Sequence, residues 1–147
     1  MIRRPRQAAR TLVAASASAV ALAMLPSLVA ASAIDAGKST VAGSARLNAK
    51  GTALQLRGVV HCRACAGFTL GATVSQGGSG AIGEGGVRCV CHSTSERWVV
   101  TARTREATAF RAGPARVCVW ITARSTGGKA IDARQWCANV RLTFAEV

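Results

Sequence analysis

The chain has 147 residues, with 19 Lys and Arg against 6 Asp and Glu, for a net charge of +13. That length allows one domain, and a chain with no Tyr, three Phe and three Trp cannot build an aromatic-rich core. Its interior has to come from Val, Leu, Ile and Ala, a thin inventory that cross-links would reinforce.

Residues 1–33 read as a secretory signal peptide. Arg3, Arg4, Arg6 and Arg10 supply a positive start, and an apolar run from Leu12 to Ala30 contains Pro26. Ala31-Ser32-Ala33 then gives the small-residue cleavage pattern. An Ala- and Ser-rich run broken by proline is a poor permanent span, so no membrane span is expected after cleavage. A secreted, extracellular product starting at Ile34 would have 114 residues, with 15 basic against 6 acidic and a net charge of +9.

Residues 34–39 read as a flexible lead-in, and 40–147 as the folded domain. From Thr40 the apolar period is two. Ala45 and Leu47 share a face, and after the turn at Lys50-Gly51 so do Leu54, Leu56, Gly58, Val60 and Cys62. Gly58 in mid-strand signals a bulge or a close backbone contact. Phe68, Leu70, Ala72 and Val74 form the next inward set. Gln76–Gly86 holds six glycines and reads as a flexible loop, because no Gly-Lys-Ser/Thr leads from it into a helix. Val87–His92 is short and extended. Trp98, Val100 and Ala102 alternate, Ala107–Phe110 suggests an edge piece, and Val117, Val119, Ile121 and Ala123 face in. After the turn at Ser125–Gly128, Trp136, Ala138, Val140, Leu142 and Phe144 face in. No segment shows a helical period. About seven short strands with regular turns predict an antiparallel β-sandwich.

The arginines occupy alternate strand positions. Arg46, Arg57, Arg97, Arg103 and Arg141 make a candidate face for an anionic partner such as a cell-surface polymer. No run of like charge in the mature chain exceeds two residues, so a specific nucleic-acid reader is not expected.

Six cysteines are present. In a hairpin centred between Gly127 and Gly128, Cys118 and Cys137 fall directly opposite each other, with Cβ atoms about 4.5–5.5 Å apart. That spacing suits a disulfide, closing a loop of about 20 residues and contributing roughly 3 kcal/mol in the chain-entropy picture. The other four lie in His61-Cys62-Arg63-Ala64-Cys65 and Cys89-Val90-Cys91-His92. Cross-strand links are expected, either Cys62–Cys91 with Cys65–Cys89 or Cys62–Cys89 with Cys65–Cys91; the two local links remain an alternative, and the sequence does not choose among the three. The same four, Cys62, Cys65, Cys89 and Cys91, also have four-thiolate zinc spacing. Redox catalysis wants a Cys-x-x-Cys at a helix start, whereas Cys62 ends a strand. With two histidines and no Gly-x-Ser-x-Gly elbow, no catalytic set emerges and no cofactor is expected.

The A-x-A leader end, Gly58-Val59-Val60-His61-Cys62, Val74-Ser75-Gln76 and Phe110-Arg111-Ala112-Gly113-Pro114-Ala115-Arg116-Val117 resemble small exported actinobacterial proteins. Those have an immunoglobulin-like β-sandwich and no assigned activity, so the resemblance implies fold and compartment only. A more distant likeness is to the apoproteins of enediyne antibiotics, carried by Cys118 and Cys137 in kind. The expectation is therefore an all-β, immunoglobulin-like, disulfide-stapled sandwich that acts by binding and not as an enzyme. A cysteine-rich metal-binding protein and a small apolar-ligand carrier are the alternatives.

Overall fold

A computed structural model describes residues 32–63 and 65–145. The leader read at 1–33 therefore falls outside the described residues except for Ser32 and Ala33. Eight strands follow in chain order: β1 (Ile34–Val41), β2 (Ser44–Leu47), β3 (Ala53–Cys62), β4 (Gly67–Gln76), β5 (Ala81–Val90), β6 (Ser95–Thr104), β7 (Gly113–Arg124) and β8 (Ala130–Phe144). The segment 34–39, expected as a flexible lead-in, is instead the body of β1. Ile34 is buried and opposes Cys62.

Seven strands form a closed circuit. β3 pairs with β6 and with β2, β2 with β8, β8 with β7, β7 with β4, β4 with β5, and β5 returns to β6. All of these pairings are antiparallel except β2–β8. β1 lies along the far half of β3, beyond β2. The barrel is filled, with Leu47, Leu56, Val60, Phe68, Leu70, Val74, Trp98, Phe110, Ile121 and Leu142 all at or below 2% exposure. Alternation thus points apolar side chains into the barrel and polar ones out.

This closure corrects the expected immunoglobulin-like two-sheet sandwich, and the glycine-rich stretch is the reason. Only Gly77–Gly80 turn; from Ala81 the chain is strand, pairing with β4 from Gln76↔Ala81 to Gly67↔Val90. At Gly83↔Thr104 and Glu84↔Arg103 the same strand also meets β6. The crossing is possible because β5 lacks side chains there. A Cβ on Gly85 would collide with the Thr101 carbonyl, and one on Gly83 would lie 2.9 Å from the Phe110 ring. Residues read as a loop are therefore the seam that closes what would otherwise be one open sheet with β5 and β6 at its edges.

Other details follow the same logic. Gly58 does mark a close contact, since the Trp98 indole and the Thr40 carbonyl occupy the space of its missing Cβ. Ala107–Phe110 is not a strand, yet Phe110 is buried and its amide donates to the Gly51 carbonyl at 2.8 Å. Phe144, expected inward, is 47% exposed because it lies past the last inward rung at Leu142.

Gly85→Ala sets a methyl against the Thr101 carbonyl and should cost about 1–3 kcal/mol, read as a lower urea midpoint at unchanged slope. Gly77→Ala, with nothing within 4 Å of the new Cβ, should be close to neutral in the same measurement.

Candidate functional site: a thiol cluster and an arginine face

One rim of the barrel gathers the reactive side chains. The β3–β4 connection and the β5–β6 connection both lie there. Register brings them together, because His61 opposes Ser95 and Gly67 opposes Val90. Backbone bonds then fix one on the other. The Cys62 amide donates to the Thr94 carbonyl at 3.2 Å, and the Cys91 amide donates to the Ala66 carbonyl at 3.1 Å. Glu96 organises the second connection by accepting the His92 and Ser93 amides at 2.7 and 2.8 Å. Those two bonds hold its carboxyl below the usual carboxylate range.

The result is a cluster of three sulfurs. The Sγ atoms of Cys62, Cys65 and Cys91 all lie within 4.8 Å of one another. Cys62 is 2% exposed, and Cys65 and Cys91 are half-buried. Cys62 Sγ also donates to the Ser93 carbonyl at 3.5 Å. Of the four residues with zinc-type spacing, the cluster contains three. Cys89 stays outside it, opposite Phe68 on β4. The cross-strand links expected among these four are not formed: Cys62, Cys65, Cys89 and Cys91 are all free thiols, three of them side by side and Cys89 outside the group. His61 and His92 do not join the group; His92 is exposed, with Nδ1 turned to Glu96 at 3.9 Å.

Cys62, Cys89 and Cys91 are not tuned as nucleophiles. Burial pushes the Cys62 thiol up, a contact with Cys91 opposes that, and the neighbouring Cys65 adds to it. Burial also raises Cys91, reinforced by Cys62 and Cys65, and it raises Cys89 with help from the Glu96 charge. A nucleophilic cysteine needs the opposite shift.

Cys118 and Cys137 oppose each other on β7 and β8 and form a disulfide, as the hairpin register predicts. It lies on the outer surface, with Trp120 two residues on. Trp120 is 42% exposed, its indole resting where a Gly71 side chain would be.

The five arginines named from alternation all point outward and are exposed. They lie on β8, β2, β3 and β6, four strands that are consecutive around the barrel. Arg141 pairs with Ser44, Arg46 with Gln55, Arg57 with Val99, Arg97 with Val59 and Arg103 with Ala53. Arg46, Arg57 and Arg97 therefore run diagonally across β2, β3 and β6 at steps of about 7–8 Å. An open groove of ≈ 390 Å³ flanks Arg46, lined also by Asn48, Gln55 and Thr101. Among the described residues, no carboxylate forms an ion pair with any of the five. Glu84, at the edge beyond Arg103, pairs with Arg105.

Sequence reasoning passed over Asp132. Its carboxylate, 13% exposed, accepts the Ile34 amide at 2.9 Å and the Ser32 hydroxyl at 2.8 Å, and meets Arg134 Nε at 3.2 Å. Burial alone would raise its pKa, but the Ile34 amide, Ser32 and Arg134 outweigh burial and hold it below the ordinary value. The only sequence signal was a lone acid beside a turn, which by itself points nowhere.

No protein-family model matches the chain, and no curated protein matches it. Its functional reading rests on its own residues.

Asp132→Asn should lower stability by about 1–3 kcal/mol at neutral pH. Because the folded carboxyl titrates lower than the unfolded one, its contribution is present above about pH 4 and lost as pH falls through the folded value. Wild type and variant should therefore converge in acid, as followed by urea midpoints against pH. Separately, Cys118→Ala with Cys137→Ala should cost about 2–4 kcal/mol on the same scale.

Proposed function

We propose that the protein is exported and acts as a binding module, using the arginine face of β8, β2, β3 and β6 to hold an anionic polymer. The observation that carries this reading is the gathering of Arg46, Arg57, Arg97, Arg103 and Arg141 on four consecutive strands, with no described carboxylate paired to them. Alternation alone would leave these residues scattered over the sequence. The β2–β8, β2–β3 and β3–β6 pairings make them one surface, where charges of one sign add to a field that attracts a polyanion. Arg also suits such a partner because its planar fork meets phosphate or carboxylate groups with paired hydrogen bonds.

Two features support export. The Cys118–Cys137 disulfide suits an oxidising compartment. In addition, cleavage after Ala33 would turn the Ile34 amide into a free ammonium, already 2.9 Å from the Asp132 carboxylate. A charge-assisted bond there would be stronger than the amide bond it replaces.

Binding to a heparin matrix should fall steeply with salt, since exposed charges are screened beyond about 8 Å at physiological ionic strength. Arg46→Gln, Arg57→Gln and Arg97→Gln together should weaken binding about 100-fold, at roughly 1 kcal/mol per charge. Arg111→Gln, Arg116→Gln and Arg124→Gln, outside the face, should weaken it far less. Retention indifferent to salt, or equal losses in both triple variants, would remove the reading.

A further inference from the structure

We propose that Cys62, Cys65 and Cys91 form a three-thiolate site for a soft monovalent metal ion, copper(I). The cluster has the dimensions for it. Three sulfurs around one ion at about 2.3 Å each stand roughly 4 Å apart, and these three already lie within 4.8 Å of one another. Small side-chain rotations close that difference without moving the backbone. The backbone is itself held by the bonds from Cys62 to Thr94 and from Cys91 to Ala66.

The donor set selects the metal. All three donors are sulfur, and soft thiolates favour copper(I) among the biological cations, with zinc as the main rival. A structural zinc site takes four protein ligands in a tetrahedron. Among the described residues no fourth His, Cys, Asp or Glu joins these three: Cys89 lies outside the cluster, and His92 faces Glu96, so zinc here would have to complete its shell with water. A three-coordinate copper(I) ion lacks nothing here, and Cys62 gives it one donor shielded from water. The half-exposed Cys65 and Cys91 give the ion a way in. Binding releases the thiol protons to solvent and transfers no electron.

The count of cysteines separates this role from that of a staple. One disulfide among three mutually adjacent thiols leaves the third without a partner inside the cluster. A copper ion uses all three at once. The proposal is also independent of the arginine face, since it draws on different residues at the barrel rim.

The test is anaerobic titration of the full-length chain, its cluster cysteines reduced and its Cys118–Cys137 disulfide intact, with copper(I) against a chromogenic copper(I) chelator. One equivalent should bind, with X-ray absorption showing three sulfur neighbours. Cys65→Ser and Cys91→Ser should each lower affinity by more than about 100-fold, beyond what loss of an outer-shell partner costs. Cys89→Ser and the pair Cys118→Ala/Cys137→Ala should leave it unchanged, and far-ultraviolet circular dichroism should show every variant folded. Unchanged affinity in folded Cys65→Ser or Cys91→Ser overturns the proposal. So does a fourth sulfur lost with Cys89→Ser, or displacement of copper(I) by equimolar zinc. Cluster cysteines found oxidised in protein isolated from copper-supplied cells would overturn it as well.

Discussion

The close passage of β5 over β6 at Gly83–Gly85 is the constraint on which this molecule depends. Two rungs there, Gly83↔Thr104 and Glu84↔Arg103, complete a circuit that otherwise has free edges. An open edge would present unpaired amides and carbonyls to any passing strand. Closure removes that hazard, and it does so with backbone alone, since a side chain at Gly85 would strike the Thr101 carbonyl. The short parallel contact of β2 with β8 is the corresponding seam on the other side.

Both candidate sites are consequences of how the strands pair. The β3–β4 link must pass over the rim from one side of β6 and β5 to the other, and the β5–β6 link lies beneath it. Stacking these two connections puts Cys62, Cys65 and Cys91 together although they are far apart in sequence. The outer surface of β8, β2, β3 and β6 is made continuous by the β2–β8, β2–β3 and β3–β6 pairings, and with it the arginine face. The barrel interior is occupied by Leu, Val and Ile side chains with the Phe68, Trp98 and Phe110 rings, and both candidate sites lie outside it, at the rim and on the outer surface.

Much of the local structure was legible in the residues. The period of two identified the buried side of β2, β3, β4, β6 and β7, and of β8 at Val140 and Leu142, because an aliphatic residue facing water forgoes about 25 cal/mol per Å² of burial. The hairpin around Gly127 and Gly128 placed Cys118 opposite Cys137, because pairing across a tight turn follows from counting. The glycine-rich stretch was misread for a definite reason. Glycine usually signals backbone freedom, but here its absent side chain is what lets one strand approach another. Phe144 was misplaced because alternation continues in the sequence after the barrel wall has ended.

By itself the sequence determined that the chain is all β, which residues of β3, β4, β6 and β7 face the core, and that Cys118 and Cys137 are joined. These depend on neighbours along one strand or across one turn. Tertiary structure alone decided that the sheet closes, that three of the four remaining cysteines meet while Cys89 does not, and that Asp132 receives Ile34. Each of those depends on strands far apart in the chain being laid side by side, and no local periodicity encodes a contact between strands whose connection runs through the rest of the fold.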